Sequence, residues 1–286
     1  MSETVYKSAE GRTIVEESYR KLLASAAPVP FQQHFVATVH GKTHVLQFGD
    51  SGKAPLILLH GSMSNSASWL GIIPLFLDHF SVFCVDILGE PGLSETNRMR
   101  LHSDKPAQWL SAVLDGLAIP RCSFLGMSLG SWYALNFAIN EPDRVAALSL
   151  ITTGGIAPQH RNFIFKALFC MMLGQRGQKM LNRLIYHKTA MPPQLLEIQA
   201  VVSANFKPVT EQIPLFTDGQ LQKLHMPIQY FGGDHDAILD TARTAERLRK
   251  LTPQAEIHVL NDTGHLIIDQ FDVVRDFLAK TSLEPI

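Results

Sequence analysis

Apolar positions keep a helical and then an alternating spacing over roughly the first fifty residues, and afterwards the pattern changes. Ile14, Val15, Tyr19, Leu22 and Leu23 suit one face of a short helix over 11–25, ended by Ala27-Pro28-Val29-Pro30. The runs 34-HFVATVH-40 and 43-THVLQFG-49 flank Gly41-Lys42, which predicts a hairpin turning there. The next run, 55-PLILLHG-61, is continuously apolar and closed by glycine, as in a strand buried on both faces. Further runs lie at 80–87, 121–126, 145–152, 227–233 and 255–261, and helical patterns at 106–117, 129–139, 241–251 and 270–280 separate most of them. Strand alternating with helix predicts a mostly parallel central sheet with helices on both faces.

One segment breaks the alternation. Residues 156–222 are rich in Phe, Met and Leu and offer no convincing strand. A helical cap or lid inserted over the sheet's edge is expected there. The chain then divides into an N-terminal helical extension at 1–30, a core at 31–155 and 223–286, and the insertion at 156–222. Phe163, Phe165, Leu168, Phe169, Met171 and Met172 recur with partly helical spacing. Packing onto the core accounts for most of them, and lining of an apolar pocket by a subset is the functional alternative.

Composition narrows the function. Hydrophobic residues make up 46% of 286, enough for a sizeable core, and the formal net charge is −1. With no basic block or aromatic-interleaved basic patch, nucleic acid is not an expected partner. Cys84, Cys122 and Cys170 are scattered without metal-ligand spacing and read as buried thiols in a reducing compartment. The N-terminal stretch lacks the basic-then-apolar layout of a secretory leader, and 163-FIFKALFCMML-173 is too short and interrupted to span a bilayer. A cytoplasmic protein without stable membrane insertion, monomeric or homodimeric, is expected.

The chemistry centres on 124-FLGMSLGSW-132. Ser128 lies between Gly126 and Gly130 where a strand must turn into a helix. A serine at that apex takes strained backbone angles, and neighbours two residues away must be small. The turn also aims the Leu129 backbone N–H, at a helix N-terminus, to where negative charge would develop. Serine needs an imidazole as base and the imidazole needs a carboxylate. Two loops after later strands fit, Gly233-Asp234-His235-Asp236 and Asp262-Thr263-Gly264-His265. The order Ser128, Asp236, His265 is that expected of this architecture. Asp234-His235-Asp236 alone suggests a metal, but three adjacent residues cannot converge on one ion and the sequence displays no second His/Asp cluster. Neither metal nor cofactor is therefore expected.

Over about residues 36–280 the chain resembles the α/β-hydrolase superfamily, and more closely its serine carboxylesterase branch. The resemblance rests on His60-Gly61, the 126–130 frame, Gly-x-x-Asp at 233–236 and Gly264-His265. It implies an α/β-hydrolase fold with Asp236 as the acid, and Asp234 as a polar loop residue or capping group. It also implies a structural His60, with the Ser62 backbone N–H as second oxyanion donor and Met63 as the fallback. Many relatives carry Gly-x-Gly after Asp86, where this chain has Gly89-Glu90-Pro91-Gly92. Asp86 is expected to tie loops at the sheet edge, and Ser94 and Ser131 to be surface or capping hydroxyls.

The expected activity is hydrolysis of small or medium apolar carboxylic esters through an acyl-enzyme. The same residues could act on thioesters, amides or carbon–carbon bonds, transfer acyl groups, or form peracids. A ligand receptor without turnover is the rival from another class. Dehalogenase and epoxide-hydrolase chemistry is disfavoured, since those relatives carry Asp where this chain has Ser128.

Overall fold

The computed structural model describes residues 5–282. Helix α1 (Ala9–Ala26) begins where the Ser8 side chain accepts the Gly11 N–H, and it buries Val15, Tyr19 and Leu23. Strands β1 (Phe31–Thr38) and β2 (Gly41–Phe48) form the hairpin, with Thr38 paired to Gly41. The turn is therefore Val39-His40 and not Gly41-Lys42. Thr38 Oγ1 accepts the His40 N–H and donates to Gly41 O, which closes the turn two residues earlier than the glycine suggests.

Next come β3 (Ala54–Leu59), a 3₁₀ segment at Ser66–Ile72 running into α2 (Ile73–Phe76), and β4 (Phe80–Val85). They are followed by α3 (Lys105–Gly116), β5 (Cys122–Met127), α4 (Leu129–Asn140) and β6 (Val145–Ile151). Four helices precede the next strand: α5 (Arg161–Met172), α6 (Gly174–Tyr186), α7 (Pro193–Asn205) and α8 (Asp218–Leu221). The chain closes with β7 (Ile228–Gly233), α9 (Thr241–Leu251), β8 (Glu256–Leu260) and α10 (Phe271–Ser282).

The eight strands form one sheet in the order β1-β2-β4-β3-β5-β6-β7-β8. The β1–β2 and β2–β4 pairs are antiparallel and the others parallel. Because β3 is buried on both faces, Ile57 and Leu59 join one core with Trp109, Trp132, Phe137 and Leu248, while Leu56 and Leu58 join the other with Tyr19, Phe76, Val274 and Leu278. That two-sided burial explains its unbroken apolar run. With β4 on one side of β3 and β5 on the other, the connections from β3 and β5 run to opposite sides, and it is at the carboxyl ends of strands at such a switch point that α/β sheets bind ligands.

The N-terminal segment and the helices after β6 are joined. Tyr6 bridges to Phe206, the Lys7 N–H donates to Asn205 O, and Val5, Tyr6, Val15, Val202 and Phe206 form a third apolar cluster that Met63 packs against. On α5, Phe165, Phe169 and Met172 are exposed, so these three do not pack onto the core; the side chains of Leu168 and Met171 lie outside the described ones.

Candidate active site

Ser128 stands between β5 and α4 with φ 52° and ψ −110°, a left-handed backbone that a non-glycine residue adopts at a cost. Its N–H donates to Ile151 O on β6, and its carbonyl accepts the Trp132 N–H in the first turn of α4. The flanking glycines are required by contact. A Cβ on Gly130 would lie 2.0 Å from Leu59 O, and one on Gly126 2.6 Å from the Ser131 backbone. The strand ends, the elbow and the helix start are thus wedged together, and the hydroxyl is held at the carboxyl edge of the sheet.

The loops after β7 and β8 bring two more side chains to it. His265 Nε2 lies 2.9 Å from Ser128 Oγ, and His265 Nδ1 lies 2.7 Å from Asp236 Oδ2. The other oxygen of Asp236 accepts the N–H groups of Ile238 (2.8 Å) and Leu239 (3.0 Å). Burial pushes the Asp236 carboxyl up, but the His265 ring and these two amides outweigh it and leave its pKa below the usual value. An ionised Asp236 fixes the proton on His265 Nδ1 and leaves Nε2 as the acceptor facing the serine. His265 is itself held from behind, where its N–H donates to Ile185 O at the end of α6.

The loop after β3 borders the same point: a Cβ on Gly61 would lie 3.7 Å from that of Ser128. His60 is fully buried, with Nδ1 2.8 Å from Gly61 O and Nε2 accepting the Ile87 N–H, so it braces the loop. Burial lowers its pKa and keeps it neutral. The Met63 N–H donates to Glu90 Oε2 at 2.7 Å and is already engaged. Leu129 is the first residue of α4, where helix geometry supplies no acceptor for the amide.

Glu90 is the residue that sequence reasoning missed. It appears in the sequence only as an interruption of a glycine turn, yet its carboxylate is 2% exposed and fixes both Met63 and the Ser62 hydroxyl. Burial pushes its pKa up to about 7, against the pull of the Met63 amide, Arg98 and Ser62. The folded protein therefore keeps a proton that the unfolded chain has released above the model-peptide range, and stability falls as pH rises through the interval between them. Glu90→Gln, which cannot lose that proton, should be better off relative to wild type at pH 8 than at pH 5, by on the order of 3 kcal/mol. Urea midpoints of both proteins at the two pH values measure this; an equal difference at both would contradict it.

Asp86 ties loops, as expected, and more tightly than the sequence conveys. It is fully buried and accepts from the Ser66 and Leu93 amides, the Tyr19 hydroxyl and the His44 ring. Burial opposes its charge, but His44 above all holds the carboxyl well below its ordinary range. Ser94 and Ser131 are buried, not surface hydroxyls: Ser94 Oγ donates to Asp86 O and Ser131 Oγ to Ile151 O. Asp234 accepts the Thr263 N–H and pairs with His235. The fold also gives His235 company that the sequence did not display, His187 and Asp262. An open groove lined by Val39, His40, Asn97 and Lys105 shares no side chain with the Ser128 site.

The alpha/beta hydrolase fold family matches over residues 54–272, and the chain belongs to that family. Its relatives within that family include carboxylesterases. An uncharacterized carboxylesterase, nap, of Bacillus subtilis (strain 168) is 27% identical over 259 residues, covering 88% of this chain and 86% of its own. Carboxylesterase YbfK of the same organism is 27% identical over 249 residues, covering 84% and 83%. The crystal structure of carboxylesterase CesB (YbfK) superposes with a TM-score of 0.84 at 26% identity, over 97% of this chain and all of that one.

Proposed function

We propose that this chain is a serine hydrolase that cleaves carboxylic esters of small or medium apolar substrates through an acyl-enzyme. The observation that carries the reading is the hydrogen-bonded line from Ser128 Oγ through His265 to Asp236, at 2.9 and 2.7 Å. His265 Nε2 takes the hydroxyl proton as Ser128 Oγ attacks the ester carbonyl, and Asp236 stabilises the imidazolium. The backbone N–H groups of Ser62 and Leu129 stabilise the oxyanion. Ser62 is preferred to Met63 because Glu90 already occupies the Met63 amide. His265 then protonates the leaving alcohol, and a water attacks the acyl-enzyme by the same route in reverse.

Helices α5 to α7 serve in this reading as a cap. Their attachment through Ile185 O to His265, and through Phe206 to the N-terminal segment, supports that role. The three cysteines are buried and unpaired, which suits action in the cytoplasm, as a monomer or homodimer.

A panel of esters and thioesters of graded chain length, assayed on wild type and Ser128→Ala, tests the assignment. Ester turnover that depends on acyl length and disappears in the variant is expected. Inertness towards every ester, with turnover of a thioester or a diketone carbon–carbon bond, would replace ester hydrolysis by that chemistry.

A further inference from the structure

Beside the Ser128 site, a second group of side chains converges. His187 caps the end of α6, His235 precedes Asp236 by one residue, and Asp262 precedes His265 by three. One ligand atom from each lies within 4.8 Å of the others. His187 Nε2 is 2.8 Å from Asp262 Oδ1, and the rings of His187 and His235 stack with centroids 4.6 Å apart. His235 Nδ1 is 2.8 Å from Asp234 Oδ1, the same oxygen that accepts the Thr263 N–H. A carboxylate on Nδ1 fixes the proton there and leaves Nε2 with its lone pair, the arrangement by which outer carboxylates orient metal-binding histidines.

The donor set has a definite chemistry. Two imidazoles and a carboxylate suit a divalent ion of borderline softness, with water completing a tetrahedral shell. Lys188 engages Oδ2 of Asp262, so Oδ1 is the oxygen that faces the histidine. His187 and Asp262 both have φ 53°, in the left-handed region where glycine is easiest. The chain thus places metal-binding side chains at two strained positions that meet.

We propose that His187, His235 and Asp262 form a binding site for a divalent transition-metal ion, Zn²⁺ first, with Asp234 orienting His235. Ligand bonds of about 2.0–2.1 Å in a tetrahedron set the ligand atoms roughly 3.3 Å apart, so binding widens the 2.8 Å contact between His187 and Asp262 and brings the three ligand atoms, now within 4.8 Å of one another, to one common spacing. The proton on His187 Nε2 shifts to Nδ1 as the ion takes its place against Asp262. The ligands come from three segments: the end of α6, the loop carrying Asp236 and the loop carrying His265. An ion here ties the helical segment to both loops. The proposal is independent of what Ser128 does.

The test is titration of the full, tag-free chain with Zn²⁺ in competition with a chromogenic chelator at pH 7.5, alongside thermal unfolding with Zn²⁺ or EDTA. One equivalent is expected to bind and to raise Tm. His187→Gly is the informative variant, because glycine suits the left-handed backbone and keeps the fold while removing a ligand. It and His235→Ala should each weaken binding by at least about tenfold and abolish the Tm rise, and Asp234→Asn should weaken it about 10–100-fold. His102→Ala, at an exposed histidine paired with Glu211, should leave binding unchanged. Failure of the wild type to bind Zn²⁺, or retention of full affinity in both His187→Gly and His235→Ala, would overturn the proposal.

Discussion

Ser128→Ala is expected to lower kcat for ester hydrolysis by about 10⁴–10⁶, with Tm within a few degrees of wild type. The two halves of that expectation have separate causes. The elbow is held by backbone contacts: Ser128 N–H to Ile151 O, its carbonyl to the Trp132 N–H, and Gly130 against Leu59 O. Alanine retains all of them and inherits the same strained φ. What disappears is the hydroxyl 2.9 Å from His265 Nε2, and with it the protein atom that bonds to the acyl group in the proposed mechanism. Steady-state kinetics on the best ester of the panel, with a calorimetric scan of both proteins, measures both halves. An unchanged rate in a folded variant would remove Ser128 from the chemistry.

Asp236→Asn should cost about 10⁴ in kcat, again without unfolding. The Asn oxygen can still accept the Ile238 and Leu239 amides that Asp236 Oδ1 holds now. Its NH₂ would then face His265 Nδ1, which must become the acceptor. The proton moves to Nε2, and the ring can no longer take one from Ser128. Because the native carboxyl sits below its ordinary pKa, it also contributes stability that is present above the unfolded value and lost as pH falls through the folded one. The variant should therefore lose less stability than wild type on acidification below the ordinary carboxylate range. A folded Asp236→Asn with near wild-type kcat would mean that another group orients His265.

The parts of this molecule legible in its sequence are those written in local pattern. β3, β4 and β5 are continuous apolar runs because helices cover both faces of the sheet, and Gly126-x-Ser128-x-Gly130 reads directly because two close approaches admit no side chain. The spatial union of Ser128, Asp236 and His265 follows from strand order, since loops after parallel strands share one edge. Less local features were hidden. The helical segment at Ser66–Phe76 buries Trp69, Leu70, Ile73 and Phe76 too densely to display one apolar face. The hairpin turn was misplaced because a threonine hydroxyl, and not the nearby glycine, closes it. Glu90 looked like a disturbed glycine turn; its role depends on Met63, which is 27 residues away and reaches it only in the folded chain. The company of His235 was invisible for the same reason, with His187 and Asp262 separated from it by 48 and 27 residues in the sequence.

The most direct measurement is to treat the protein with a fluorophosphonate and locate the adduct by peptide mass spectrometry. One adduct per chain, on Ser128, is expected, with labelling slowed by orders of magnitude in His265→Ala. An adduct on Ser131, Ser94 or another hydroxyl, or no adduct on a chain that turns over esters, would contradict the assignment of Ser128 as the nucleophile.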